Sequence, residues 1–218
     1  MSGPYRTPGT PEPDEPPPST EPRKVSAGDL GPLRSSHERP GTVATLIAGW
    51  GTVDVHDAGL VFHGGFVDQR VMGFDDIDAI HFAFESLIPG RPRVDLVTFD
   101  GERLSIPGLV ADFDTLLEAL DRKVTWPIIR RAKEAFASGE RLVFGPLTLE
   151  LDGIVLQGES LSWSGLARVS AEYDCFVFYA TEPLGRFGWV RVSEIPHPKA
   201  LLELLRMRTR VVMSGSRL

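Results

Sequence analysis

Short alternating runs of apolar and polar residues dominate the chain, and they predict strands. Residues 42–47, 51–56, 60–63, 66–72, 77–84, 94–99 and 103–106 are rich in β-branched and aromatic side chains. Turns bearing glycine separate several of them: Asp57-Ala58-Gly59, Gly64-Gly65 and Asp100-Gly101. The period then changes. Phe113, Leu116, Leu117 and Leu120 share one helical face after Asp112, a residue suited to an N-cap, and this helix ends near Arg122. A second helix takes Thr125 as its cap and Pro127 in its first turn. It carries Ile128, Ile129, Ala132, Ala135 and Phe136 on one face and stops at Gly139. Strand patterning resumes at 142–144, 147–151, 154–157, 160–163, 167–173, 175–179 and 188–192. A closing helix over 199–207 follows Pro196 and Pro198.

The pattern occurs twice. Asp57-Ala58-Gly59-Leu60-Val61-Phe62 is answered by Leu151-Asp152-Gly153-Ile154-Val155-Leu156. Phe74-Asp75-Asp76-Ile77-Asp78-Ala79-Ile80 is answered by Trp163-Ser164-Gly165-Leu166-Ala167-Arg168-Val169. Each copy closes on a leucine-rich helical face, and the copies lie about 85–95 residues apart, a domain-sized offset. Residues 1–40 stand outside the pattern. Eight prolines between Pro4 and Pro22 interrupt any helix or ladder, and large apolar residues are scarce, so a disordered tail is expected. Such a tail is either a solubilising linker or a polyproline ligand for an aromatic groove.

Several strings resemble bacterial pleckstrin-homology-like (PH-like) domain proteins of uncharacterised function. They are DAGLVF, FDDIDAI and LVTFDGERLSI in the first copy, and LDGIVL, WSGLARV and GWVRVSEIPHPKALLELL in the second. The segment IIRRAKEAFASGERLVFGPLTL is similar to the piece that joins two such domains. The resemblance implies an α+β, mainly β fold of two tandem small barrels, each closed by a C-terminal helix. The divisions are a disordered proline-rich tail at 1–40, a first domain at 41–123, a linking helix at 124–140, a second domain at 141–207 and a short basic tail at 208–218. Its repeated core would be Phe74, Ile77, Ile80, Leu117 and Leu120 in the first barrel, and Trp163, Leu166, Val169, Leu202 and Leu205 in the second. Eukaryotic PH domains often bind phosphoinositides through a basic pocket in the first hairpin loop. The turns taken as its counterparts, His63-Gly64-Gly65-Phe66 and Gln157-Gly158-Glu159, hold no lysine or arginine.

Candidate chemistry adds little. His56, His63 and His81 fall on three different strands, His37 in the tail and His197 between prolines, none with helical metal-ligand spacing. Asp75, Asp76 and Asp78 form an acidic turn without the spacing of a calcium loop. Cys175 sits in an apolar run and reads as a small core residue. No cofactor fingerprint, P-loop or nucleophile frame is present, so an enzyme is not expected, and neither is a cofactor or a metal. The net charge of −7 argues against nucleic acid. A single cysteine, no long apolar run and no leader-like N-terminus suggest the cytoplasm. The expectation is a non-catalytic protein-interaction or scaffold module with an unidentified protein partner. The alternatives are membrane-surface association through Arg206, Arg208, Arg210 and Arg217, or a small-ligand or enzyme pocket between the copies.

Overall fold

The computed structural model describes residues 25–39, 51–64, 69–84, 92–172, 174–182 and 184–214. After a short 3-10 turn, β1 (Leu33–Glu38), β2 (Thr52–His56), β3 (Gly59–His63) and β4 (Gln69–Gly73) make an antiparallel sheet in sequence order. β5 (Ile77–Phe84), β6 (Pro92–Thr98) and β7 (Arg103–Pro107) make a second sheet of three. A long helix follows. The second half then uses the same order: β8 (Leu142–Phe144), β9 (Leu147–Leu149), β10 (Gly153–Leu156) and β11 (Glu159–Ser162) form one sheet. β12 (Leu166–Glu172), β13 (Cys175–Ala180) and β14 (Gly185–Arg191) form the other, and α3 (Pro198–Arg206) follows. A last strand, β15 (Val211–Ser214), runs parallel to β12 and ends that sheet. The fold is therefore α+β and mainly β. None of the sheets closes into a barrel: in each half a sheet of four and a sheet with a three-strand meander share one apolar interior.

Two glycines show why the strings DAGLVF and LDGIVL recur. Gly59 lies opposite Gly73, and Gly153 lies opposite Ser162. A Cβ at Gly59 would stand 2.8 Å from Leu30 Cδ2, and one at Gly153 would stand 2.8 Å from Ser162 Cα. Both would be closer still to a backbone carbonyl oxygen, of Met72 and Leu161 respectively. The residue ahead of each glycine accepts the same bond. Ala58 O takes the Phe74 N–H at 2.9 Å, and Asp152 O takes the Trp163 N–H at 2.9 Å.

The helix expected to end near Arg122 and the one expected to start at Thr125 are one helix. α1 (Phe113–Leu120), a π-helical turn (Asp121–Thr125) and α2 (Trp126–Ala137) run without a break. Thr125 has helical torsions and caps nothing. The cause is Pro127, whose ring crowds the carbonyl four residues back. The chain widens by one residue, so that the Trp126 N–H reaches Asp121 O. The extra residue turns the apolar face. Leu116, Leu120 and Val124 sit in the first core, and Ile129 and Phe136, after a step of five, sit in the second. Ile128 touches both.

Other expectations need correction. The tail assigned to 1–40 ends earlier, because β1 pairs with β2 across Ser36–Asp54 and His37–Val53. Its sequence, LRSSHE, has almost no strand-like side chains; it is an edge strand held by its ladder and by one buried ring. His37, expected in the tail, is 1% exposed and bonds Ser35 Oγ at 2.8 Å and Ala111 O at 3.0 Å. The strand expected at 42–47, the start of the one at 66–72 and the proline-rich residues 4–22 lie outside the described residues. With β1 in place, the turns at Gly64 and Gln157-Gly158 connect the third and fourth strands of their sheets, not the first and second. The basic tail assigned to 208–218 is in part a strand, since Val211 to Ser214 pair with Val169 to Glu172.

Candidate functional site

The repeated residues singled out in the sequence are core. Phe74, Ile77, Ile80 and Leu120 lie in one buried cluster, with Leu117 packed on its margin. Leu166, Val169, Leu202 and Leu205 lie in the other, with Trp163 on its margin. Trp163 is only partly covered because its Nε1–H is used at the rim, donated to Glu150 O at 3.1 Å and Leu151 O at 3.0 Å. Leu202 also lines a cleft.

That cleft is a groove of about 250 Å³ between the long helix, α3 and β15. Ile129 and Leu202 line it with apolar surface, Met213 of β15 contributes one side, and Trp126 stands beside it. Trp126 is 57% exposed, an unusual position for the largest apolar side chain. The π-turn puts it there, since Val124 and Thr125 before it and Ile129 after it are buried. The polar borders are ion pairs, two of them across the helices and one within α3. Lys199 Nζ lies 2.5 Å from Asp121, and Glu203 holds both Lys133 at 3.0 Å and Arg206 at 2.7 Å. The hydrogen bond from Lys133 keeps the Glu203 carboxyl below the usual range, assisted by Arg206 and opposed by partial burial. Arg122, Lys123 and Arg130 are exposed on the same helix around Trp126. Among the described residues β15 is the terminal strand of its sheet, so its outer edge is open there, and its Met213 lines the groove. An aromatic plate, a shallow apolar floor, cations and a free strand edge can hold an extended chain. They include no nucleophile with a base.

A second crevice, of about 350 Å³ and more polar, opens between the Gln157-Gly158 turn and the exposed Trp189 of β14. The outer edges of β12 and β5 are met by other segments. β15 covers β12. In the first half, β5 is met by the segment ahead of α3. The His197 N–H donates to Ile80 O at 2.8 Å, its Nε2–H to Asp78 O at 2.6 Å, and the His81 Nδ1–H to Ser193 O at 3.1 Å. Burial pushes both imidazoles below their ordinary value.

The other chemistry-bearing groups are structural. His63 bonds Asp54 at 2.9 Å, His56 bonds Gly31 O, and Asp76 accepts the Gly73 N–H at 3.1 Å to close its turn. Among the described residues no group of three or more His, Cys, Asp or Glu could hold a metal. Sequence reasoning missed Asp95, which is 1% exposed and takes Ser105, Arg93 and Arg103 at 2.6, 2.9 and 2.8 Å. His81 lies opposite Asp95, and Asp95 opposite Ser105. The aspartate sits between serine and histidine, so no imidazole faces the hydroxyl as a triad would need. Burial acts to raise the Asp95 carboxyl, but these donors outweigh it and hold it below the usual range. The basic tail is engaged as well: Arg206 bonds Glu203, and the Arg208 guanidinium lies 5.1 Å from the Phe136 ring.

The profile of a family of unknown function, DUF6585, matches residues 42–211. The chain belongs to that family. The match takes in both halves, the long helix and the start of β15, and leaves β1 outside. No curated protein matches the sequence. Among the described residues of this DUF6585 protein, no helix is long and apolar enough to cross a membrane.

Proposed function

We propose that this DUF6585 protein is a non-catalytic interaction module of two PH-like units that holds an extended protein segment in the Trp126 groove. The PH-like reading rests on the order of elements, four strands, three strands and a helix, used twice. The Gly59/Gly153 approach and the paired bonds to Ala58 and Asp152 support it. The recognition reading rests on one observation. An exposed tryptophan stands over an apolar groove bordered by an open strand edge and by cations. Aromatic residues in such settings dominate binding energy because they bury a large area with few rotors. An unpaired strand edge supplies main-chain bonds to a partner of any sequence.

Parallel selection of a displayed random peptide library on the full chain and on Trp126→Ala tests this. Trp126 is exposed, so the substitution leaves the core intact. Peptides enriched on the wild type and lost on the variant are expected. Equal enrichment on both would remove the groove as the recognition site.

A further inference from the structure

The polar crevice beside β14 is built independently of the Trp126 groove. One wall is the Gln157-Gly158 turn between β10 and β11, and the other is β14 from Arg186 to Trp189. Its volume of about 350 Å³ falls within the small-ligand range of about 300–1,000 Å³. Both walls are fixed. Gln157 and Gly158 have φ of 53° and 91° and make the two-residue turn that sets Leu156 opposite Glu159. Asparagine, aspartate or glycine usually fills the first place of such a turn, so glutamine there bears backbone strain. The Gln157 N–H donates to Pro146 O at 3.1 Å, which ties the turn to the β8–β9 connection. On the other wall Gly188 makes room for Leu156: a Cβ there would stand 2.5 Å from Leu156 Cδ2.

Four groups of different chemistry line this space. Trp189, 44% exposed, offers an indole. Arg186 is exposed, and among the described residues no carboxylate pairs with it. Arg186 and Arg168 both lie opposite Tyr179, and the Arg168 guanidinium stands 4.4 Å from the Tyr179 ring, so a second cation shares that row. Glu159 brings an exposed carboxylate and Gln157 an exposed amide. An indole stacks with a nucleobase. A guanidinium holds phosphate through paired N–H donors. A carboxylate accepts from an exocyclic amino group on a base.

We infer that the crevice binds a free nucleoside monophosphate whose base carries an exocyclic amino group. The base lies on Trp189, its amino group meets Glu159 and its phosphate meets Arg186. Adenine, cytosine and guanine qualify, and uracil does not. The site adds a ligand to the proposed interaction module and stands whether or not the Trp126 groove takes a partner.

The test uses the full chain labelled with 15N, with the Trp189 indole resonance assigned by Trp189→Phe. CMP, AMP and GMP should each shift that resonance saturably and leave the Trp126 indole in place. UMP should bind about tenfold more weakly than CMP, the scale of one mismatched base contact. The positions changed are exposed, so each variant keeps its core. Trp189→Ala should weaken CMP at least about fivefold, the low end for a lost base–aromatic stack. Arg186→Gln should bring CMP down to the affinity of cytidine, and Glu159→Gln should narrow the gap between CMP and UMP. Trp126→Ala should bind CMP as the wild type does. A Trp189 resonance unmoved by all three nucleotides up to about 1 mM, the upper range of ordinary small-ligand affinities, overturns the inference. So do equal shifts from inorganic phosphate, which would mean an anion site only, and equal binding of UMP and CMP. A short oligocytidylate bound more tightly than CMP would place the site on a strand and overturn the assignment to a free nucleotide.

Discussion

Replacing Gly153 by alanine should cost about 1–2 kcal/mol of stability. A Cβ there would lie 2.8 Å from Ser162 Cα and 2.9 Å from the Leu161 carbonyl carbon. Carbon atoms rest about 3.5–4.0 Å apart, so β10 and β11 would have to separate by roughly an ångström. The obstructing atoms are backbone, and no rotamer change relieves them. Overpacking of this kind costs about 1–3 kcal/mol. The smaller entropy of unfolded alanine returns about 0.4–1 kcal/mol. For a chain of this size the net loss lowers Tm by roughly 2–8 °C. Gly185→Ala is the control, because nothing lies within 4 Å of a Cβ there. It should be neutral or slightly stabilising. Urea and thermal unfolding of both variants make the measurement. Gly59→Ala should behave like Gly153→Ala, since it meets Met72 O and Leu30 in the same way. A Gly153→Ala protein as stable as Gly185→Ala would refute the close approach.

Three further outcomes concern titratable groups shifted by their surroundings. Asp95→Asn should lower stability by about 2 kcal/mol in urea unfolding, below the roughly 3–5 kcal/mol of a fully buried broken pair because Arg93 and Arg103 are part-exposed. In the wild type the Asp95 contribution is present above the unfolded value of 3.8 and is lost as pH falls through the lower folded value. His81 and His197 act in the same direction at higher pH: below the ordinary value of 6.5 the unfolded chain binds protons that the folded chain resists. Stability should therefore fall on acidification through that value, by at most about 1.4 kcal/mol per pH unit for each ring. His197→Asn, which tolerates the backbone at φ 52°, should flatten the profile. Burial and the neighbouring Asp174 push the Cys175 thiol up to about 11, so iodoacetamide should label it slowly at pH 8 and much faster near pH 11.

The second half was legible almost strand by strand, because Leu147, Leu149, Ile154, Leu156, Val169 and Phe176 mark buried positions between turn glycines. The first half was harder. β1 has only His37 buried, and its pairing with β2 is long-range and leaves no local trace. The long helix was read as two because a proline normally ends or starts one. The signal for continuity was the step of five from Val124 to Ile129, which a π-turn absorbs. The groove was not legible from the repeat, since it has no counterpart in both copies. Trp126 among Arg122, Lys123 and Arg130 was its one local sign. Its apolar floor needed Leu202 and Met213, about 75–90 residues away, to be brought alongside.

Amide and indole shift mapping of a selected peptide bound to the full chain tests the central claim most directly. The account predicts shifts concentrated at the Trp126 indole, residues 199–206 and 211–214. It also predicts at least about a tenfold loss of affinity in Trp126→Ala, the scale of an aromatic hot spot. Shifts centred elsewhere, with Trp126→Ala binding as tightly as the wild type, would contradict it.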